Sequence, residues 1–245
     1  MTVPIKILYR NILENSTIAV TSENTAFPKY RLHDRDIGKL FKGTAFANPF
    51  QIHLDQGASP IYEIDRLLIP AGHNFNGLTM DLIYSENDID WFYAVQWTQG
   101  DALLINKSFT AQTKRYWNLN IFAPATIAEM PEMFLSKAYT FQRNPGYGLG
   151  EGDRKNTLRD ETKSGRVRLV KFGEPKRWRQ YSLTRIGAAQ KADFETWDRL
   201  AEGIKSVYIE DHNGVLCFAE LIGDLNFRLT SVDRYSTDIE LLETL

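Results

Sequence analysis

Tyr116-Trp117-Asn118-Leu119-Asn120-Ile121-Phe122 is the stretch that decides the fold class. Successive side chains of an extended chain point to opposite faces. Trp117, Leu119 and Ile121 therefore share one apolar face, and Tyr116, Asn118, Asn120 and Phe122 share the other. A helix would scatter the same residues around its circumference, whereas a strand sorts them. Moving outward, residues 78–84 (LTMDLIY) put Leu78, Met80, Leu82 and Tyr84 on one face, and residues 50–54 (FQIHL) alternate in the same way. Residues 17–22 (TIAVTS) and 61–69 (IYEIDRLLI, stopped by Pro70) read as further strands, and residues 132–139 as a last apolar segment. Turn chemistry separates them, in Asp55-Gln56-Gly57 and Asn74-Phe75-Asn76-Gly77. Many short strands at this spacing predict a β-sandwich or barrel over the first 141 residues.

The texture changes at residue 142. RNPGYGLGEGDRKNTLRDETKSGR holds five glycines, one proline and many charges without an apolar period, so residues 142–165 read as a linker or mobile loop. Residues 166–245 then read as a second β domain with one helix. Alternation returns at 167–172 and 178–186, and again at 227–232 and 237–242. Phe194, Trp197, Leu200, Ala201 and Ile204 recur at helical spacing, which predicts a helix from about Lys191 to Glu202, with Asp193 or an earlier polar residue as cap and Gly203 as stop. Residues 207–210 and 215–221 flank Asn213-Gly214, a pair that favours the tight turn of a β-hairpin.

Composition excludes several classes. The 245 residues carry a net charge of −2, but the distribution is uneven: residues 143–185 hold twelve basic and five acidic side chains, a local balance of +7 against −9 elsewhere. Such asymmetry fits phosphate contacts or docking on an acidic neighbouring subunit, and the second is the simpler use. Cys217 is the sole cysteine, so there is neither an internal disulfide nor a cysteine-based zinc site. Residues 1–11 have no apolar core of signal-peptide length, and no run long enough to span a bilayer occurs. Assembly in a reducing cytoplasm, without membrane insertion, is the expectation.

The first domain resembles the discoidin, or galactose-binding-like, jelly roll. The residues that carry the likeness are Phe27-Pro28-Lys29-Tyr30-Arg31-Leu32-His33-Asp34-Arg35-Asp36, then Phe50-Gln51-Ile52-His53-Leu54-Asp55-Gln56-Gly57, then 61–69 with Gly72-His73-Asn74-Phe75-Asn76-Gly77, and Arg115-Tyr116-Trp117-Asn118-Leu119. It departs from that family after the Asp loop, where Gly38-Lys39-Leu40-Phe41-Lys42-Gly43 replaces a Trp-bearing segment. The second domain is similar to phage tail-tube or distal-tail proteins, through Arg177-Trp178-Arg179-Gln180-Tyr181-Ser182-Leu183, the helix with Phe194 and Trp197, and the Asn213-Gly214 hairpin. Together the resemblances imply a mainly all-β chain: an N-terminal jelly-roll β-sandwich and a C-terminal tail-tube-like β-sandwich with one flanking helix. They imply a non-enzymatic component of a bacteriophage tail tip or baseplate, part of a ring around the tail tube. Its partners would be copies of itself, the tail tube, tail hub and tape measure, with the jelly roll holding a host-surface polysaccharide and no specific nucleic acid. The alternatives are a stand-alone carbohydrate-binding module protein or a glycan-degrading enzyme.

Site candidates follow from residue chemistry. Sugars bind through aromatic faces and a few polar groups, which singles out Trp91, Tyr93, Trp97 and Phe41; for Trp91 and Tyr93 core burial is the competing reading, and it is the preferred one for Phe50 and Trp117. Arg154, Lys155, Arg166, Arg168, Lys176 and Arg177 are the expected subunit contacts. His33, His53, His73 and His212 lie in no nucleophile motif, and His53 reads as an exposed strand histidine, so no catalytic residue is assigned. Oxygen ligands around Asp34 and Asp36, or Glu86, Asp88 and Asp90, lack a recognised calcium spacing, so neither metal nor cofactor is expected. Gly146 to Gly152 reads as linker rather than phosphate loop, because a charged, aperiodic segment follows it.

Overall fold

The structure, a computed structural model, describes residues 4–45, 47–124, 126–141, 150–154, 157–161, 167–171, 176–201 and 206–243; the side chains of 154, 157–161, 167–171 and 201 lie outside that description. In chain order the strands are β1 (Lys6–Leu8), β2 (Thr17–Val20), β3 (Phe41–Lys42), β4 (Phe50–Asp55), β5 (Glu63–Ile69), β6 (Thr79–Ser85), β7 (Phe92–Thr98), β8 (Ile105–Thr113), β9 (Tyr116–Ile121), β10 (Glu129–Met130), β11 (Phe134–Ser136) and β12 (Tyr139–Thr140). They continue with β13 (Gly150–Arg154), β14 (Thr157–Glu161), β15 (Val167–Lys171) and β16 (Lys176–Ile186). After helix α1 (Ala188–Ala201) come β17 (Val207–Glu210), β18 (Leu216–Leu221), β19 (Arg228–Ser231) and β20 (Arg234–Glu243). The mainly-β class and the helix agree with the sequence, and no described helix is long and apolar enough to cross a membrane.

The chain forms two compact units, and they do not follow one another in sequence. Arg10–Ala138 is one; Met1–Tyr9 together with Tyr139–Leu245 is the other. This differs from a contiguous division at residue 141. The reason is strand pairing: β1 lies between β12 and β17, with Ile7 opposite both Tyr139 and Ile209.

The Arg10–Ala138 unit is a β-sandwich of the jelly-roll type. A five-stranded sheet, β2-β4-β9-β6-β7, faces a three-stranded sheet, β11-β5-β8, and β3 pairs with β10. Ile52, Leu54, Leu82, Trp117 and Leu119 from the first sheet and Ile64, Leu67, Ile69 and Leu135 from the second make one core. The alternation read in residues 116–122 is thus the pleat of β9, the central strand, paired on both sides by β4 and β6. Its polar face is turned away from the core.

The other unit hydrogen-bonds eight strands into one sheet, ordered β12-β1-β17-β18-β20-β16-β13, with β19 on β20. Phe194 and Trp197 of α1 enter its core beside Ile5, Ile7, Phe141, Tyr181 and Ile239. The Phe141 and Phe194 rings meet edge to face at 5.0 Å. The helix starts earlier than the apolar period indicates, at Ala188; two alanines extend it at little cost, and the Lys191 N–H donates to Gly187 C=O at 3.0 Å. The Asn213-Gly214 hairpin joins β17 to β18, with Gly214 at φ 78°.

The expected linker at 142–165 contains two strands. β13 pairs with β16, and β14 pairs with β15. One glycine that suggested mobility has a packing role in β13: a Cβ on Gly150 would stand 3.1 Å from the Trp178 ring. Residues 142–149, where the Gly-rich run begins, lie outside the described residues.

Candidate functional site

The outward face of the five-stranded sheet carries the candidate site. Inward positions on β4 and β9 are consumed by Phe50, Ile52, Leu54, Trp117, Leu119 and Ile121, so the intervening Gln51, His53, Asn118 and Asn120 face outward. Register places Gln51, Asn120 and Asp81 in one row across β4, β9 and β6, and His53, Asn118 and Ile83 in the next. Tyr93 stands opposite Ile83 on β7.

The turn between β6 and β7 closes one side. Ser85 Oγ accepts the backbone N–H groups of Asn87 and Asp88 at 3.2 and 3.0 Å. Asn87 Oδ1 accepts those of Ile89 and Asp90 at 3.0 and 2.9 Å, and its Nδ2 donates to Asp90 Oδ2 at 2.8 Å. Asp88 adopts φ 63°, a conformation that Asp tolerates better than bulkier residues. The acidic turn is therefore organised by its own hydrogen bonds. Among the described residues, no three His, Cys, Asp or Glu side chains converge to hold a metal ion.

The same turn delivers Asp88 and Trp91 to the sheet face. Asp88 Oδ1 lies 2.9 Å from His53 Nε2, which donates to it. The Trp91 ring meets His53 nearly edge-on at 5.8 Å, and Tyr116 flanks the same imidazole at 6.0 Å. Gln51, His53, Ile83, Asp88, Trp91 and Asn118 together line an open cleft of about 400 Å³. Beside it, Arg115 grips Asp55 with two hydrogen bonds of 2.6 and 2.8 Å and lies over Tyr116 at 4.7 Å. Those hydrogen bonds hold the Asp55 carboxyl below the usual carboxylate range. The arrangement offers an aromatic wall and a floor of amide, imidazole and carboxylate groups, which is the chemistry of polar-ligand binding.

The four aromatic candidates separate. Trp91 lines the cleft, and Tyr93, 68% exposed, rises from the neighbouring strand. Trp97 does not join them: opposite Met80 on the inward side of β7, it packs against the core, with Lys107 Nζ 5.4 Å from its ring. Phe41 is wholly buried, 6.2 Å from Phe50, and so presents no face to a sugar. Phe46, Lys155 and Arg166 lie outside the described residues, as do the side chains of Arg154 and Arg168. Arg177 is exposed and pairs with Glu151 at 3.0 Å, and Lys176 is half-buried at the start of β16. Sequence reasoning missed Gln51, His53, Asp88 and Asn118 as a group. Their signal was present as polar alternation in FQIHL and YWNLNIF, but alternation alone does not say which turn covers that face.

No family model and no curated protein matches the chain. Solved structures do. Chitosan-binding module 1 of a chitosanase/glucanase from Paenibacillus sp. IK-5 is 17% identical over 52% of this chain and 99% of the module, with a TM-score of 0.46. A CBM32 module from Clostridium perfringens in complex with GalNAc-β-1,3-galactose is 16% identical over 54% of this chain and 99% of its own length, at a TM-score of 0.45. CBM32-1 from a family 31 glycoside hydrolase of Clostridium perfringens is 15% identical over 53% and 99%, at 0.44.

Proposed function

We propose that this protein binds a glycan without transforming it, and that the sheet-face cleft at Trp91 holds the sugar. The observation that carries this reading is the cleft itself: an accessible indole beside His53, Asp88, Asn118 and Gln51 on a rigid sheet. A pyranose has apolar C–H faces and a rim of hydroxyls, so it needs one aromatic surface and several fixed hydrogen-bonding groups, all of which stand within this cleft. Calorimetry against a panel of oligosaccharides tests it. Trp91→Ala should abolish binding, His53→Ala should weaken it about tenfold through loss of one charged hydrogen bond and one ring contact, and Phe41→Leu should leave it unchanged. Release of reducing ends from a bound oligosaccharide would instead favour a glycan-degrading enzyme.

A second reading, assembly into the ring of a phage tail tip, is favoured by charge. The outer face of the Tyr139–Leu245 sheet carries a groove of about 470 Å³ lined by Asp224, Asp238 and Glu240, with Arg228 as the lone cation among its lining residues. The same chain supplies eight basic against four acidic side chains over residues 143–171, ahead of the strand that lines the groove. A basic segment docking in the groove of the next copy is a head-to-tail contact, which closes into a ring where the rotation between copies closes and runs on as a filament where it does not. Mass photometry at low salt should show discrete oligomers that dissociate as salt rises; a monomer at every salt concentration contradicts this reading.

A further inference from the structure

The polarity of the cleft floor is set from the row beside it. Asp81 is 2% exposed and, as a carboxylate, can only accept. It takes the Nδ2–H of Asn120 at 2.7 Å. That bond fixes which way the Asn120 amide faces, so Asn120 Oδ1 accepts from Gln51 Nε2 at 2.9 Å and from Asn118 Nδ2 at 2.8 Å. Gln51 and Asn118 must then direct their oxygens elsewhere. Asn118 is 6% exposed and lines the cleft, and its Oδ1 is buried with no protein donor. His53 already directs its Nε2–H to Asp88, which lines the cleft with its carboxylate. No Lys or Arg lines the cleft, and the neighbouring Lys114 and Arg115 are paired with Glu86 and Asp55. The acceptors left open on the floor are therefore Asn118 Oδ1 and the Asp88 carboxylate, with no cation among the lining residues.

We propose that the cleft selects glycans that supply hydrogen-bond donors, above all oligomers of an amino-hexose bearing a free amine, and that Asp81 is the positioning residue that sets this preference through Asn120. The inference rests on the cleft being the glycan site. An ammonium group brings three donors and no acceptor, matching Asn118 Oδ1 and the Asp88 carboxylate. A uronate or sulfated sugar brings hydroxyl donors too, but it sets a negative charge against the Asp88 carboxylate with no cation to offset it, which adds repulsion. Asp81→Asn keeps the shape but supplies a donor of its own. The replacement amide can donate to Asn120 Oδ1, Asn120 then turns its Nδ2 towards Gln51 and Asn118, and those two turn their NH₂ groups into the cleft. One buried substitution, two residues removed from the ligand, thereby reverses the floor.

Calorimetry with trimers of glucosamine, N-acetylglucosamine and galacturonic acid, at one pH and salt concentration, tests this. The wild-type chain should bind the glucosamine trimer about tenfold more tightly than the acetylated one, the step expected of one charge-assisted hydrogen bond, and the uronate trimer least. Asp81→Asn should erase the amine preference and strengthen uronate binding, while Trp91→Ala should abolish binding of all three. Asp88→Asn should lower glucosamine affinity about tenfold and acetylated-trimer affinity by clearly less, so that the amine preference shrinks, which keeps the test decisive where Asp81→Asn does not fold. Uronate binding as tight as glucosamine, or the same order of affinities in both Asp variants, overturns the inference while Trp91-dependent binding keeps the glycan reading. Failure of all three trimers to bind removes both.

Discussion

Glu132 shows how one side chain can carry a pH dependence for its unit. It has no exposed surface, and burial is the main reason its carboxyl is pushed up to about 8; Asp34 and Glu14 add to the shift and Arg35 opposes it. The folded state therefore holds the Glu132 proton more tightly than the unfolded chain, whose carboxyl titrates near 4.5. Its contribution to stability is complete below that value and is lost as pH rises through about 8. Glu132→Gln removes the titration, so thermal melts should show the wild type losing stability relative to the variant across that window, with the gap widest at its alkaline end. Parallel melting curves at every pH would contradict this. His53 makes the complementary point about legibility. Read alone it is a polar residue on an outward strand face, and that placement is right. Its role depends on Asp88, which reaches it from a turn 35 residues further along the chain, and no local period encodes that meeting.

Between elements, a buried cation ties β16 to its neighbour β20 and also to the turn after β17, a strand with which β16 does not pair. Arg179 of β16 is 2% exposed; its Nη1 donates to Asp211 at 2.6 Å and its Nε to Glu243 of β20 at 2.9 Å. Asp211 also accepts the backbone N–H groups of Asn213 and Val215, both at 2.8 Å, and so shapes the turn between β17 and β18. Burial alone would raise the Asp211 carboxyl, but these hydrogen bonds outweigh it and hold it below the ordinary value. Asp211→Ala would leave a guanidinium buried with one carboxylate lost and the turn unsupported. It should cost about 3–5 kcal/mol, read as a fall in the denaturant midpoint of the unit that contains it. A loss below about 1 kcal/mol, the range of exposed pairs, would show that water replaces the carboxylate. The sequence announced this hairpin through Asn213-Gly214, because that signal is local. It did not announce β13: Gly150 and Gly152 read as breakers, and the fit of Gly150 against the Trp178 ring depends on a partner strand some 25 residues away. A Gly150→Val chain should place its side chain against that ring and lower the melting temperature of the unit by a few degrees, the cost of modest overpacking.

At the scale of the whole molecule, the order of residues and the order of strands diverge, and this is where reading by segments fails most. Periodicity identified most strands of both units, because each one sorts its own side chains. It could not assign residues 6–8 to a sheet whose other members begin more than a hundred residues later. Three residues are too few for a pattern, and their partners are non-local. The consequence is testable by dissection. The Arg10–Ala138 unit contains both faces of its sandwich and its whole core, so a chain of residues 10–138 should unfold in a single cooperative transition. Residues 139–245 alone lack β1, and with it Ile5 and Ile7 from the core and the strand that joins β12 to β17. The loss removes two buried aliphatic side chains, about 1.5–3 kcal/mol each, and exposes the edge of β17. That fragment should aggregate or remain unfolded. Joining residues 1–9 to residue 139 through a short flexible linker restores the strand without restoring the sandwich, and the joined chain should regain a cooperative melt and protected amides in β17. Stable folding of 139–245 without residues 1–9 would mean that β1 borders the sheet without completing it.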